Sequence, residues 1–251
     1  KNNWIKDTNY FKDIPVKGWW SKLEIKDLNG DGLPDIIAGN HGLNSRFRAS
    51  PDQPLCLHIN DFDNNGSIEQ ILCRYEGDQS YPLALRHDIF KQLPHLKKKY
   101  LKYENYANQT IEDIFSEEER KNMLSLTADN MKTSIFMNRG SHFESIELPN
   151  EIQYSPIYSI LVHDFNGDNR MDVLMGGNLN AVKPEVGRYD ASQGALLLAN
   201  NEGTFDYIQN FESGFEVEGE IRDLELITIA AKPYVLVARN NDSCLLFELK
   251  K

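Results

Sequence analysis

Carboxylate and amide side chains stand at fixed positions in one nine-residue segment of this chain, 27–35. Oxygen-bearing side chains occupy its positions one, three, five and nine, and Gly32 at position six allows the positive φ of a tight turn. At this spacing a turn can direct the oxygens at one hard cation such as Ca²⁺, and position seven adds a backbone carbonyl. The segment therefore predicts a calcium-binding loop.

The same pattern returns in segments 61–69 and 164–172, which have Gly66 and Asn169 at position six. One such loop would carry little weight, because Asp, Asn and Gly are ordinary turn residues. Three loops in one register, each between apolar runs, predict about three calcium sites, with a structural rather than a catalytic role. The predicted metal ligands are Asp27, Asn29, Asp31, Leu33, Asp35, Asp61, Asp63, Asn65, Ser67, Glu69, Asp164, Asn166, Asp168, Arg170 and Asp172.

These loops differ from an EF-hand, although an EF-hand begins in the same way. An EF-hand requires a bidentate Glu at position twelve and a helix after the loop. Position twelve of the first segment is Ala38, which lies in an apolar and β-branched run. Each loop is therefore predicted to join two strands as a hairpin.

Between the second and third loops the spacing of apolar residues changes to a helical one. Leu93 and Leu96 belong to this pattern, and Ser116 with Glu119 has the form of a capping box. We predict a helical insertion at 83–126 that packs outside the sheets. Strands resume afterwards. Near the end of the chain, Asp223 stands where a further loop would begin, but neither a glycine nor a later carboxylate follows, which predicts a metal-free remnant of the repeat.

The cysteines predict no disulfide. Cys56 and Cys73 flank the second loop, and hairpin geometry centred on that loop places them about one position out of register. Their side chains would then point to opposite faces of the sheet. We predict that both thiols are free and buried.

The composition is that of a globular protein and disfavours several function classes. The 251 residues are 40% hydrophobic and 26% charged, with a net charge of −11. A nucleic-acid partner is disfavoured, because the basic residues form no face beyond the short cluster 97–99. No apolar run is long enough to span a bilayer. The sequence also lacks a zinc-ligand spacing, a nucleophile elbow and a phosphate-binding glycine loop.

A family resemblance rests on two alternating motifs. Asp-x-Asn-Gly-Asp-Gly-x-x-Asp followed by a strand, alternating with Leu/Phe-x-Asn-x-Gly-x-Phe, resembles the FG-GAP/VCBS repeat of the integrin α-subunit head and of many bacterial surface proteins. The match is good over 19–75 and 134–210, weak over 220–250 and absent from 83–126. The layout is also similar to the C-terminal part of large FG-GAP proteins of Bacteroidetes-type bacteria, often outer-membrane lipoproteins.

The resemblance implies an all-β fold. Residues 1–251 would form a single partial β-propeller segment of about four blades of antiparallel strands, with the helical insertion inside it. Further blades would come from a longer chain. The calcium loops and the resemblance together imply an extracellular, cell-surface or periplasmic location, where calcium is abundant.

The candidate binding residues lie in two polar loops that leave strands after the first and third metal loops. These exit loops, 40–48 and 178–192, hold equivalent places, which in a propeller lie on one face. The candidates are His41, Asn44, Arg46, Lys183, Arg188, Tyr189 and Asp190. Arg188 and Asp190 are equally consistent with merely anchoring their own loop.

We therefore hypothesise a non-enzymatic, calcium-stabilised propeller that binds a glycan or a protein. The alternative is the propeller part of a carbohydrate-active enzyme such as a polysaccharide lyase.

Overall fold

The computed structural model describes residues 3–250, which cluster into two compact units. Unit 1 holds the described residues up to Arg46 and those from Met131 onward, and unit 2 holds Phe47–Asn130. Residues 1, 2 and 251, which the predicted single segment 1–251 includes, lie outside the described residues. The helical insertion predicted at 83–126 lies within unit 2, together with the second metal loop and its strands.

Most of the regular secondary structure in the described residues is β-structure, as predicted, and the strands fall in regions that are apolar on one or both faces. The strands are β1 (Lys22–Lys26), β2 (Asp35–Gly39), β3 (Leu55–Asn60), β4 (Glu69–Glu76), β5 (Gln79–Pro82), β6 (Leu124–Ala128), β7 (Ser134–Asn138), β8 (Phe143–Ile146), β9 (Ile157–His163), β10 (Asp172–Gly177), β11 (Ala195–Ala199), β12 (Phe205–Ile208), β13 (Ile221–Ile229), β14 (Lys232–Arg239) and β15 (Leu245–Glu248).

Unit 1 contains three antiparallel sheets. Sheet 1 has the order β1-β2-β7-β8, sheet 2 the order β12-β11-β10-β9, and sheet 3 the order β13-β14-β15. In sheet 1, β2 pairs directly with β7, for example Ile36 with Phe136, although all of unit 2 separates these strands in the sequence. The chain therefore leaves sheet 1 after β2 and later returns to the same sheet.

The core of unit 1 lies between successive sheets. Strand β1 contacts β9, and β9 contacts β13, so the first strands of the three sheets are neighbours in turn. Ile37 of sheet 1 and Val173 of sheet 2 belong to one buried cluster, while Leu174 of sheet 2 and Val235 of sheet 3 belong to another. Because β2 and β10 have apolar residues on both faces, each can be covered on both sides.

Unit 2 contains sheet 4, with the order β5-β4-β3-β6, and one of its faces is covered by short helices. Ile71 on β4 belongs to the same buried cluster as Ile89, Leu93 and Phe115. The helices of the described residues are α1 (Arg86–Gln92), α2 (Ile111–Ile114), α3 (Glu117–Arg120) and, in unit 1, α4 (Asn210–Ser213). Single 3₁₀ turns cover Asn9–Phe11, Pro94–Lys97, Tyr103–Asn105 and Asn150–Gln153.

One detail of the predicted insertion is confirmed, and its predicted end is wrong. The capping box at the start of α3 is confirmed, because the Ser116 hydroxyl accepts the Glu119 N–H while the Glu119 carboxylate accepts the Ser116 N–H. Strand β6, however, begins at Leu124, so the helical region ends before residue 126. None of the helices within residues 3–250 is long and apolar enough to cross a bilayer.

The predicted register of the cysteine hairpin is wrong. Cys56 lies directly opposite Cys73, because the pairing of β3 with β4 extends to Asn60 and Glu69 at the two ends of the loop. Both side chains therefore point to the same face of the sheet. Both thiols are free, but only Cys73 is buried as predicted, because Cys56 is half-buried. Burial raises the pKa of Cys73 to about 12, with a further contribution from Cys56.

The predicted loop remnant near Asp223 is also wrong. Asp223 lies within the continuous strand β13, so no loop begins there. Its carboxylate accepts a hydrogen bond from the Ser159 hydroxyl of the neighbouring sheet.

Candidate metal loops and exit-loop surface

The three metal loops share one backbone framework. Position six has a positive φ in each of them, at Gly32, Gly66 and Asn169, as the residue types predict. The carboxylate at position one accepts backbone N–H groups from inside its own loop. The donors are Gly30, Asp31 and Gly32 to Asp27; Asn65 and Gly66 to Asp61; and Gly167, Asp168 and Asn169 to Asp164.

The side chain at position nine closes each loop. Asp35, Glu69 and Asp172 are all buried, and each accepts the backbone N–H of the second loop residue at 2.9–3.0 Å. In the first and third loops the second carboxylate oxygen accepts another N–H, from Asn138 and Ala199 respectively, at the end of the neighbouring strand. These two carboxylates therefore join their loops to the neighbouring strands by hydrogen bonds.

The second loop fits a divalent cation best. Ligand oxygens of Asp61, Asp63 and Glu69 all lie within 4.8 Å of one another. One oxygen of Asp63 is buried and has no hydrogen-bond partner among the described residues. Burial raises the pKa of Glu69, and repulsion from Asp63 and Asp61 adds to the rise. A hard cation would relieve this repulsion and use the spare oxygen.

The first loop has oxygens that a cation can use. Asp31 accepts the Leu33 N–H at 2.8 Å, and Asn29 donates to Asp31 at 3.0 Å. A carboxylate oxygen has more than one lone pair, so these bonds leave room for a metal. The exposed Asp27, Asn29 and Asp31 side chains, with the carbonyl of Leu33, are the residues that would hold it.

The third loop does not fit a divalent cation as it stands. The guanidinium of Arg170 is hydrogen-bonded to the carboxylate of Asp168, which was predicted as a metal ligand. The pKa of Asp168 is lowered chiefly by the backbone N–H of Arg170, and the charge of Arg170 also contributes. This ion pair does not follow from the loop motif, because position seven of the motif contributes only a backbone carbonyl.

The two exit loops contact each other within unit 1. The His41 and Tyr189 rings meet edge to face, with centroids 4.7 Å apart, and Trp19 packs on His41 at 5.4 Å. Tyr189 is also held by paired backbone hydrogen bonds with Leu179. Residues 40–46 and 178–192 therefore belong to one surface.

His41 and Tyr189 form the base of this surface rather than its exposed part. They are only 9% and 8% exposed, so neither ring is open to a ligand. The prediction that these two residues contact a ligand is therefore wrong. Burial lowers the pKa of His41 to about 4, and it raises the pKa of Tyr189. Both groups are therefore neutral at pH 7. The other candidates are exposed; they are Asn44, Arg46, Lys183, Arg188 and Asp190.

A cavity of about 450 Å³ opens where the exit loops meet segment 150–154. Tyr154 is 44% exposed at this cavity, and its carbonyl accepts the Asn44 side-chain amide at 3.3 Å. The cavity is lined by Leu43, Asn44, Asn150, Gln153, Tyr154 and Ala191. An adjacent cavity of about 270 Å³ shares Leu43, Asn150 and Gln153 with it, so the two form one elongated groove.

Sequence reasoning did not select segment 150–154 as part of a site. The segment carries no motif and lies in a connection bounded by Pro149 and Pro156. A tyrosine in a polar, proline-bounded connection was the only available signal. Gln153 holds the floor of the groove, because its amide forms two hydrogen bonds of 2.9 Å with the backbone of Thr133.

Comparison with protein-family models and with curated protein sequences finds no match to this chain. The geometry of the loops and of the groove is therefore the basis for assigning a function to this chain.

Proposed function

We propose that this chain is a non-enzymatic, calcium-stabilised β-propeller segment that binds a glycan outside the cytoplasm. The observation that carries the binding role is the groove where the two exit loops meet Tyr154. Calcium would hold the first and second metal loops.

The propeller assignment is supported by the order of the sheets in unit 1. Three consecutive antiparallel sheets have their first strands adjacent in turn, as radial stacking of blades requires. Further blades from a longer chain would suit the ends of this series. Leu23 and Ile25 on β1 are 58% and 52% exposed, and Leu246 on β15 is 51% exposed. A neighbouring blade normally covers such positions.

The chemistry of the groove favours a sugar. Its larger part is lined by amides, aliphatic groups and one exposed tyrosine ring, and its smaller part adds one side chain of each charge, Lys132 and Glu147. Amides both donate and accept hydrogen bonds, as ring hydroxyls demand. The tyrosine offers an apolar face with a polar tip, which suits the C–H face of a sugar ring. A neutral oligosaccharide therefore matches the lining better than an acidic peptide.

The buried histidine and tyrosine argue against a lyase. Proton abstraction requires a base close to the substrate, with a pKa suited to the task. His41 is buried and has a pKa of about 4, and the raised pKa of Tyr189 opposes loss of its proton. These groups serve packing better than catalysis, so binding is the preferred role.

The binding role is tested by screening neutral and acidic oligosaccharides and then measuring affinity by calorimetry for wild type and Tyr154→Ala. We expect a neutral oligosaccharide to bind, and the substitution to weaken binding about tenfold, since loss of a ring contact costs about 1.4 kcal/mol. The melting temperature should be unchanged, because the ring is exposed.

Tyr10→Ala is the matched control. Tyr10 is also in unit 1 and 42% exposed, but it packs near Phe143 and does not line the groove. Absence of oligosaccharide binding, or equal losses from both substitutions, would contradict the proposal. Capture of a protein partner through another surface would favour the protein-binding alternative.

A further inference from the structure

Position seven distinguishes the three metal loops. The first loop has Leu33 there, the second has Ser67, and the third has Arg170. The described hydrogen bonds and ion pairs of Asp27 and Asp31 in the first loop involve no cationic side chain. The third loop is thus the one that brings a permanent positive charge to its own carboxylates.

The guanidinium of Arg170 is held at three points. Nη2 donates to Oδ2 of Asp168, Nε donates to the Ala199 carbonyl at 2.8 Å, and Nη1 donates to Oδ1 of Asn201 at 2.8 Å. The rigid fork of an arginine suits such simultaneous contacts, and it cannot lose its charge near neutral pH. The side chain therefore connects the loop to the turn after β11, besides neutralising the loop.

A divalent cation would have to compete with this group. The oxygen of Asp168 that Arg170 contacts also accepts the side-chain amide of Asn166 at 2.8 Å. Bringing a cation to the same carboxylate would place two positive charges side by side or displace the arginine from all three partners. Either change reduces the affinity of the loop for the metal.

We infer that Arg170 takes the place of calcium in the third loop, so that calcium binds the wild-type chain through the first and second loops only. This inference rests on the proposed calcium role of the other two loops. It predicts that the loops respond differently to the same substitution.

The experiment measures the number of bound Ca²⁺ ions per chain by titration calorimetry and equilibrium dialysis. Asp31→Asn and Asp63→Asn should each remove one equivalent, while Asp168→Asn should leave the number unchanged at two. Arg170→Leu, which copies position seven of the first loop, should add an equivalent. Arg139→Leu is the control, because Arg139 pairs with Glu144 on the surface outside the metal loops; it should change nothing.

Loss of an equivalent in Asp168→Asn, with no gain in Arg170→Leu, would overturn the inference while leaving the calcium role intact. If the wild-type chain binds no calcium, the calcium role itself fails. The inference is then decided by thermal unfolding in a chelator. Arg170→Leu should lower the melting temperature by about 2–4 °C, and Asp168→Asn should recover part of that loss in the double variant. An unchanged melting temperature for Arg170→Leu would reject it.

Discussion

The carboxylate of Asp35 links its metal loop to the neighbouring strand of sheet 1. The side chain is completely buried, and its two oxygens accept the N–H groups of Leu28 and Asn138. One bond closes the metal loop, and the other joins the loop to β7. The carboxylate at the ninth position therefore stabilises the fold through hydrogen bonds, whereas the side chains at positions one, three and five of the same loop are exposed.

Replacing Asp35 by alanine should destabilise the protein by about 2–4 kcal/mol, because the buried N–H group of Leu28 and the partly buried N–H group of Asn138 lose their acceptor. Excess calcium should not restore the loss. Urea denaturation with and without a chelator measures both effects. Asp31→Ala is the control within the same loop, and it should matter only when calcium is present. Equal behaviour of the two variants would show that Asp35 acts through the metal.

The buried ring of His41 should make the protein sensitive to mild acid. Its folded-state pKa of about 4 lies below the ordinary value of 6.5, so the unfolded chain takes up the proton first. The contribution of the neutral His41 ring to the free energy of unfolding is fully present above pH 6.5. It is lost as the pH falls towards 4, by up to about 3 kcal/mol. Denaturant unfolding at pH 7, 5 and 4 should show the decrease.

Phenylalanine at position 41 separates packing from protonation. His41→Phe keeps a ring between Trp19 and Tyr189 but cannot be protonated. We expect a smaller loss of stability between pH 6.5 and 4 than in wild type. The exposed His142 provides the control, since His142→Phe should retain the full pH dependence. Identical pH profiles for wild type and His41→Phe would exclude this role for His41.

Local elements could be predicted from the sequence wherever their conformation depends on residues close to one another in the chain. The positive φ at position six, the capping box of α3 and the strands beside the metal loops all depend on neighbouring residues. The predicted register of the cysteine hairpin is wrong because the register depends on where strand pairing stops at the loop ends, at Asn60 and Glu69. A shift of one residue in that end point exchanges the two faces.

The corrected hairpin makes a prediction about thiol reactivity. Cys73 is buried with a pKa of about 12, whereas Cys244 is exposed. Since the thiolate is the reactive form, an aromatic disulfide reagent at pH 8 should modify Cys244 quickly and Cys73 only after denaturation. Mass spectrometry of digested samples locates the label. Rapid labelling of Cys73 in the native protein would mean that the helices over sheet 4 open readily.

At the scale of the whole molecule, the β-rich class could be predicted but the division into units could not. Alternating apolar residues and turn residues indicate sheets regardless of which strands pair. The pairing of β2 with β7 has no local signal, because the two strands are separated by all of Phe47–Asn130. The exit-loop groove likewise depends on a connection, 150–154, that only the folded chain brings next to Asn44.

The long excursion between β2 and β7 has a consequence for the order of folding. Closing a long flexible loop costs more entropy than closing a short one, and it slows the pairing of strands far apart in the sequence. If Phe47–Asn130 folds first, its ends come together and the remaining gap becomes short. Sheet 1 should therefore mature after sheet 4. Pulsed hydrogen exchange during refolding should protect amides of β4 before those of β7, and Leu93→Ala in unit 2 should delay protection in both.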